Sequence, residues 1–231
     1  MITTDVTSFG DELYCVAGWD VERRTMVRPE PPGTVASSGA ARFWNSDYVG
    51  PGKVFQVGSP VTFEGNQAPA GFPYPHATED VILRPESQIK SDRKVSLAET
   101  AALAAGSVSA SVTQVYDGGA RTTSSGLLYV ASGHIGRSLG AMEIKGGVVF
   151  HEKRFPQKPT KLRVRLALGH QTYDLPVTST AVSALWRAEG LDALQKKADR
   201  SNRIHIRLGL ARPFAARPAE CFAQVNGLYL L

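Results

Sequence analysis

Lys161-Leu-Arg-Val-Arg-Leu-Ala-Leu168 alternates without a break. Leu162, Val164, Leu166 and Leu168 fall on one side, and Lys161, Arg163, Arg165 and Ala167 on the other. A period of two is the signature of a strand with one face in a core. Gly169-His170 then offers a turn into Gln171–Val177, which predicts a hairpin. Arg203–Leu210 repeats the pattern, with Ile204, Ile206 and Leu208 against Arg203, His205 and Arg207. Cys221–Leu231 reads as a closing strand.

Working outward, Gly and Pro (22 and 14 residues) cut the 231-residue chain into short pieces. Leu13–Gly18 and Thr25–Arg28 flank a polar turn and predict a hairpin. Lys53–Val57, Val61–Glu64 and Val81–Leu83 read as further strands, and Ala68–Pro75, with four breakers, as a loop. Ser96 with Glu99 is a capping box, so a short helix is expected from Leu97 to Ala105. Val108–Arg121 alternates weakly and turns at Asp117-Gly118-Gly119. Leu127–Ala131, Met142–Lys145 and Val148–Phe150 follow as strands, the last two joined by Gly146-Gly147. Thr178-Ser179-Thr180 caps a second helix, which Gly190 is expected to split.

Strands interrupted by two helical stretches exclude a doubly wound parallel sheet. The expected class is mainly β: two small OB-like antiparallel barrels, each with about one short helix. The expected division is 1–95 for the first barrel, 96–107 for a helical connector, and 108–231 for a basic second barrel.

Charge is uneven. Residues 150–217 hold 14 Lys and Arg against 5 Asp and Glu, within an overall net charge of +5. A concentrated positive region attracts polyanions through counterion release, although a solubilising face has the same composition. If the two basic strands are neighbours, Lys161, Arg163, Arg165, Arg203 and Arg207, with Lys196, Lys197 and Arg200 nearby, form one band able to follow a phosphate backbone. Phe43, Trp44 and Tyr48, and secondarily Phe72 and Tyr74, are either stacking platforms for bases or anchors for their loops.

Chemistry-bearing sets are sparse. His76, Glu79 and Asp80 are spaced for a metal or an acid–base pair, or for a hydrogen-bonded turn. No second cluster completes a metal site, so neither a metal nor a cofactor is expected. Arg28 is placed to meet a phosphate or to clamp a buried carboxylate such as Glu79. Ser132-Gly-His-Ile-Gly-Arg137 matches no complete phosphate-binding motif. Cys15 and Cys221 read as small buried hydrophobes. No run of about 18 apolar residues and no secretory pattern is present, which predicts a cytoplasmic protein without a membrane partner.

Cys15-Val-Ala-Gly-Trp-Asp20 followed by Met26-Val-Arg28-Pro29 resembles the opening hairpin of the bacterial dual OB-fold domain proteins. His76-Ala-Thr-Glu79-Asp80, Tyr173–Thr178, Ile204–Leu210 and Cys221–Leu231 extend the similarity across most of the chain. Met26 departs from it, standing where the family commonly has an aromatic. The resemblance implies two OB-like barrels, nucleic-acid binding and association with defence loci, without catalysis. The expected function is therefore a non-catalytic binder of single-stranded or irregular RNA or DNA, acting as a sensor or accessory module of a defence complex. The alternatives are a protein-interaction subunit of a nucleoprotein complex and a hydrolase built on His76, Glu79 and Asp80.

Overall fold

The computed structural model describes residues 1–10, 12–32, 42–68, 78–124, 126–168 and 171–231, leaving aside the side chains of Phe155 and Lys158. His76, Phe72, Tyr74 and the Gly169-His170 turn lie outside the described residues.

The protein is mainly β, and one sheet curls into a half-barrel. The first part of the chain forms β1 (Ile2–Ser8), β2 (Tyr14–Asp20), β3 (Thr25–Glu30), β4 (Val61–Thr62), β5 (Gly65–Gln67), β6 (Asp80–Leu83) and β7 (Lys90–Ser91). Five of these make a sheet in the order β1-β2-β3-β6-β5. The β2–β3 hairpin forms as expected. Two features were not anticipated. Strand β1 precedes the first expected strand and pairs antiparallel with β2, and β3 pairs with β6 in parallel, with Arg28 opposite Asp80. Lys53–Val57 does not form a strand. Only an isolated bridge between Val49 and Phe55 occurs there, and Phe55 is fully buried.

Helix α1 (Leu97–Leu103) starts at the expected capping box. Ser96 Oγ accepts from the Glu99 amide, and Glu99 accepts from the Ser96 amide. A 3-10 turn at Ala105–Ser107 and a one-turn helix α2 (Val112–Val115) follow. This one-turn helix occupies the weakly alternating stretch.

Strands β8 (Ala120–Thr122), β9 (Leu128–Ala131), β10 (Leu139–Ile144), β11 (Val148–Phe155), β12 (Lys158–Leu168) and β13 (Gln171–Pro176) come next. Helices α3 (Thr180–Glu189) and α4 (Leu191–Arg200) and strands β14 (Ile204–Leu210) and β15 (Glu220–Leu230) complete the chain. A second five-stranded sheet runs β10-β14-β15-β9-β8, and β11-β12-β13 form a separate three-stranded sheet. The Gly146-Gly147 turn does not close a β10–β11 hairpin. Both glycines have positive φ, and between them they send the chain from β10, paired with β14, to β11, paired with β12. The two sheets meet at a bridge between Val177 and Val225.

Gly190 splits the helical segment as expected. At φ 86° and ψ 171° it occupies a conformation available essentially to glycine alone. The largest core lies inside the later sheets, where Leu162, Val164 and Leu166 of β12 meet Ile204, Ile206 and Leu208 of β14, with Leu194 of α4.

Candidate nucleic-acid interface

Strand β12 keeps the face that its alternation promised. Leu162, Val164 and Leu166 are buried, whereas Lys161 and Arg165 are exposed. Lys153 on β11 lies directly opposite Lys161, and Val149 opposite Arg165. The outer face of this hairpin therefore presents cations from two strands. Arg163 is the exception. Its Nε donates to Asp174 Oδ1 at 2.9 Å and its Nη2 to the Asp174 carbonyl at 2.8 Å, and its side chain is only 12% exposed. His151 Nε2 stands 3.0 Å from the same Asp174 oxygen. Burial pushes the Asp174 carboxyl up, but its hydrogen bonds with His151 and Arg163 outweigh this and hold it below the usual carboxylate range.

Helix α4 packs against β11, the edge strand of this sheet. Gln195 fixes the contact. Its Oε1 accepts from the Phe150 amide at 2.8 Å, and its Nε2 donates to the Val148 carbonyl at 2.9 Å. One side-chain amide thus takes the place of a strand neighbour. Lys196, Lys197 and Arg200 of α4 are exposed, with Lys197 held by Glu189 at 2.8 Å.

Strand β14 corrects the expected band. It lies between β10 and β15 and is not a neighbour of β12. All seven of its residues are buried. Arg203, just before it, remains at the surface, 3.9 Å from Glu143. Arg207 was expected on the outward basic face, but it is 0% exposed. Its Nε lies 3.3 Å from Asp5 Oδ1, and its Nη1 donates to Ser107 Oγ at 2.6 Å. The polar side of β14 is covered because β1 packs on the sheet there: Tyr229 of β15 donates its hydroxyl to the Thr4 carbonyl of β1. His205 sits in the same seam, stacked on Tyr229 with ring centroids 5.2 Å apart, and its Nδ1 is 3.0 Å from Glu143. Burial, then Arg207, lowers its pKa, while Glu143 and Asp5 oppose the shift. Among the described residues its Nε2 meets no partner.

Of the expected chemical set, Glu79 and Asp80 are among the described residues, and both are taken up by structural hydrogen bonds and ion pairs. Glu79 and Asp80 are buried. Glu79 Oε1 accepts from the amides of Ser138 and Leu139 at 2.8 and 3.0 Å. Burial raises its carboxyl, and Arg28 and these donors pull the other way. Asp80 binds Arg28 Nε at 2.5 Å and Arg42 Nη2 at 2.7 Å, and Arg42 also pairs with Glu30. Arg28 thus clamps a buried carboxylate, and that carboxylate is Asp80. Arg137 closes the Ser132–Arg137 loop onto Asp117 at 2.8 Å. Among the described residues no group of three or more His, Cys, Asp and Glu is arranged to hold a metal.

The expected stacking residues divide. Trp44 is buried and donates its indole N–H to the Pro29 carbonyl at 2.8 Å, so it anchors the core. Tyr48 is exposed, its ring tilted on Trp44 at 5.0 Å. Phe43 lies parallel to Phe9 at 4.3 Å, with the Arg212 guanidinium 5.1 Å from its centroid. Sequence reasoning passed over Phe9, Tyr129, Phe214 and Phe222. The one signal for Tyr129 and Phe222 was an aromatic at a polar-side position of an alternating strand.

An open cleft of about 660 Å³ is lined by Asp20, Glu22, Arg23, Glu64 and Arg84 together with apolar residues, and it is remote in sequence from the basic hairpin. No helix among the described residues is long and apolar enough to cross a membrane. Comparison with family models, with curated proteins and with solved structures finds no match for this chain.

Proposed function

We propose that this protein binds the phosphate backbone of a nucleic acid through the outer face of the β11–β12 hairpin and the adjoining helix α4, without catalysing a reaction on it. The observation that carries this reading is the register of the hairpin. Lys153 and Lys161 stand opposite one another, and Arg165 lies further along the same face. Asp174, on the neighbouring strand β13, is already engaged by Arg163 and His151. Lys196, Lys197 and Arg200 extend the positive charge along α4. Surface cations gathered this way release counterions when they meet phosphates.

OB-like architecture for the two halves belongs to this proposal, supported by the curled sheet. An accessory role in a bacterial defence system rests on the family resemblance alone. The hydrolase alternative loses its footing because Glu79 and Asp80 are buried and spoken for.

A salt titration against a labelled single-stranded oligonucleotide tests the reading. Four phosphate contacts weaken binding about fiftyfold between 50 and 200 mM salt, at a slope of about 0.7 per contact. With Lys161→Glu and Arg165→Glu the factor falls to about sevenfold. An unchanged affinity and slope in that double variant refute the proposed face.

A further inference from the structure

The outer side of the second five-stranded sheet carries an aromatic ledge on strands other than those of the basic hairpin. Tyr129 of β9 is directly paired with Phe222 of β15 on one side and with exposed Arg121 of β8 on the other. The Tyr129 and Phe222 rings are 6.1 Å apart and tilted. The segment after β14 folds back over this row. Phe214 stacks on Phe222 at 5.8 Å, and the Arg217 guanidinium lies 5.2 Å from the Phe222 centroid. Half of Phe214 nevertheless remains exposed, at 51%.

This geometry is held in advance. Ala211 donates its amide to the Phe222 carbonyl at 2.8 Å, and the Arg217 amide donates to the Phe214 carbonyl at 2.8 Å. Arg217 is further fixed to Glu220 at 2.7 Å. An exposed aromatic ring held in place by a hydrogen-bonded turn loses little freedom when a ligand stacks on it. Two residues before Phe214, Arg212 leads to the second stack, Phe43 on Phe9, the latter 59% exposed.

We propose that this ledge receives the unpaired bases of a single-stranded nucleic acid, with Phe214 and Tyr129 as stacking surfaces and Arg121 meeting the adjacent phosphates. The occupant follows from the composition. The exposed apolar area is flat aromatic ring, bordered by arginine, and stacking on such rings with cationic support is how single strands are held without sequence preference. An aliphatic protein segment offers the rings no π-face, and paired bases are closed to them. The inference rests on the nucleic-acid reading above and adds the strandedness of the ligand.

An abasic oligonucleotide separates the two, since it keeps the phosphates and lacks the bases. Affinities are measured by fluorescence anisotropy for a 12-nucleotide oligothymidine and for its abasic counterpart, at fixed salt. The intact protein is expected to favour the thymidine oligonucleotide by about tenfold or more. Phe214→Ala is expected to lose most of that margin while keeping its affinity for the abasic chain. Phe214→Leu, which retains apolar bulk without a flat ring, is expected to behave like Phe214→Ala, with circular dichroism confirming the fold of both. Equal binding of the two oligonucleotides by the intact protein overturns the ledge and leaves the basic face standing. A margin that survives in both variants also overturns it. Binding of neither oligonucleotide overturns both proposals.

Discussion

Removing the carboxylate of Asp5 strands a cation in the middle of the molecule. Arg207 is fully buried, and Asp5 is the carboxylate it pairs with, at 3.3 Å. In Asp5→Ala the guanidinium keeps its hydrogen bond to Ser107 but loses its counter-charge. Breaking one side of a buried pair costs about 3–5 kcal/mol, because the remaining charge stays desolvated. At about 2–4 °C per kcal/mol for a chain of this size, the thermal midpoint falls by about 6–20 °C. Replacing both partners, Asp5→Ala with Arg207→Met, removes the uncompensated charge and recovers most of the loss. Urea unfolding followed by circular dichroism measures all four members of the cycle. The loss in Asp5→Ala persists at 500 mM salt, because a buried pair is poorly screened. If Asp5→Ala costs less than about 1 kcal/mol, as an exposed ion pair would, then Arg207 is not where the seam requires it to be.

His205 makes stability depend on pH. Its folded pKa is lowered, so the unfolded chain takes up a proton near pH 6.5 that the folded chain refuses, and stability is lost as pH falls below about 7. His205→Gln should flatten the urea midpoint across that window, and an unaltered slope contradicts the assignment. A Cβ at Gly190 meets nothing within 4 Å, so Gly190→Ala suffers only from its backbone angles, at about 1–3 kcal/mol in thermal unfolding. Gln195→Leu leaves the Phe150 amide and Val148 carbonyl without their side-chain partner, costing about 1–3 kcal/mol. Amide exchange at Phe150 should quicken in that variant while exchange at Ile206, deep in the core, reports only the global change.

Features decided within a few residues were legible in the sequence. The Ser96–Glu99 capping box, the Ser179 cap, the β2–β3 hairpin and the break at Gly190 all formed as read. Each depends on hydrogen bonds or backbone angles among residues within about nine positions of one another, which no distant contact needs to supply. Strand β1 escaped notice because Thr3, Thr4, Asp5 and Thr7 look solvent-facing, yet all four are buried. Its β-branched residues were the available signal. The Gly146-Gly147 turn misled for a related reason: positive φ reverses a chain without saying which strand it will pair with.

The sharpest contrast is between two strands with the same pattern. In both β12 and β14, alternation determined that leucines, valines or isoleucines share one side and that the basic residues fall on the other. It did so because successive side chains of a strand point oppositely, whatever surrounds them. What lies over the polar side is a matter of the rest of the fold. Solvent meets Lys161 and Arg165, whereas β1 brings Asp5 against Arg207 from more than two hundred residues away. Side-chain alternation is local physics. Coverage is set by which sheets pack together, and only the tertiary structure made one basic strand a surface and the other a seam.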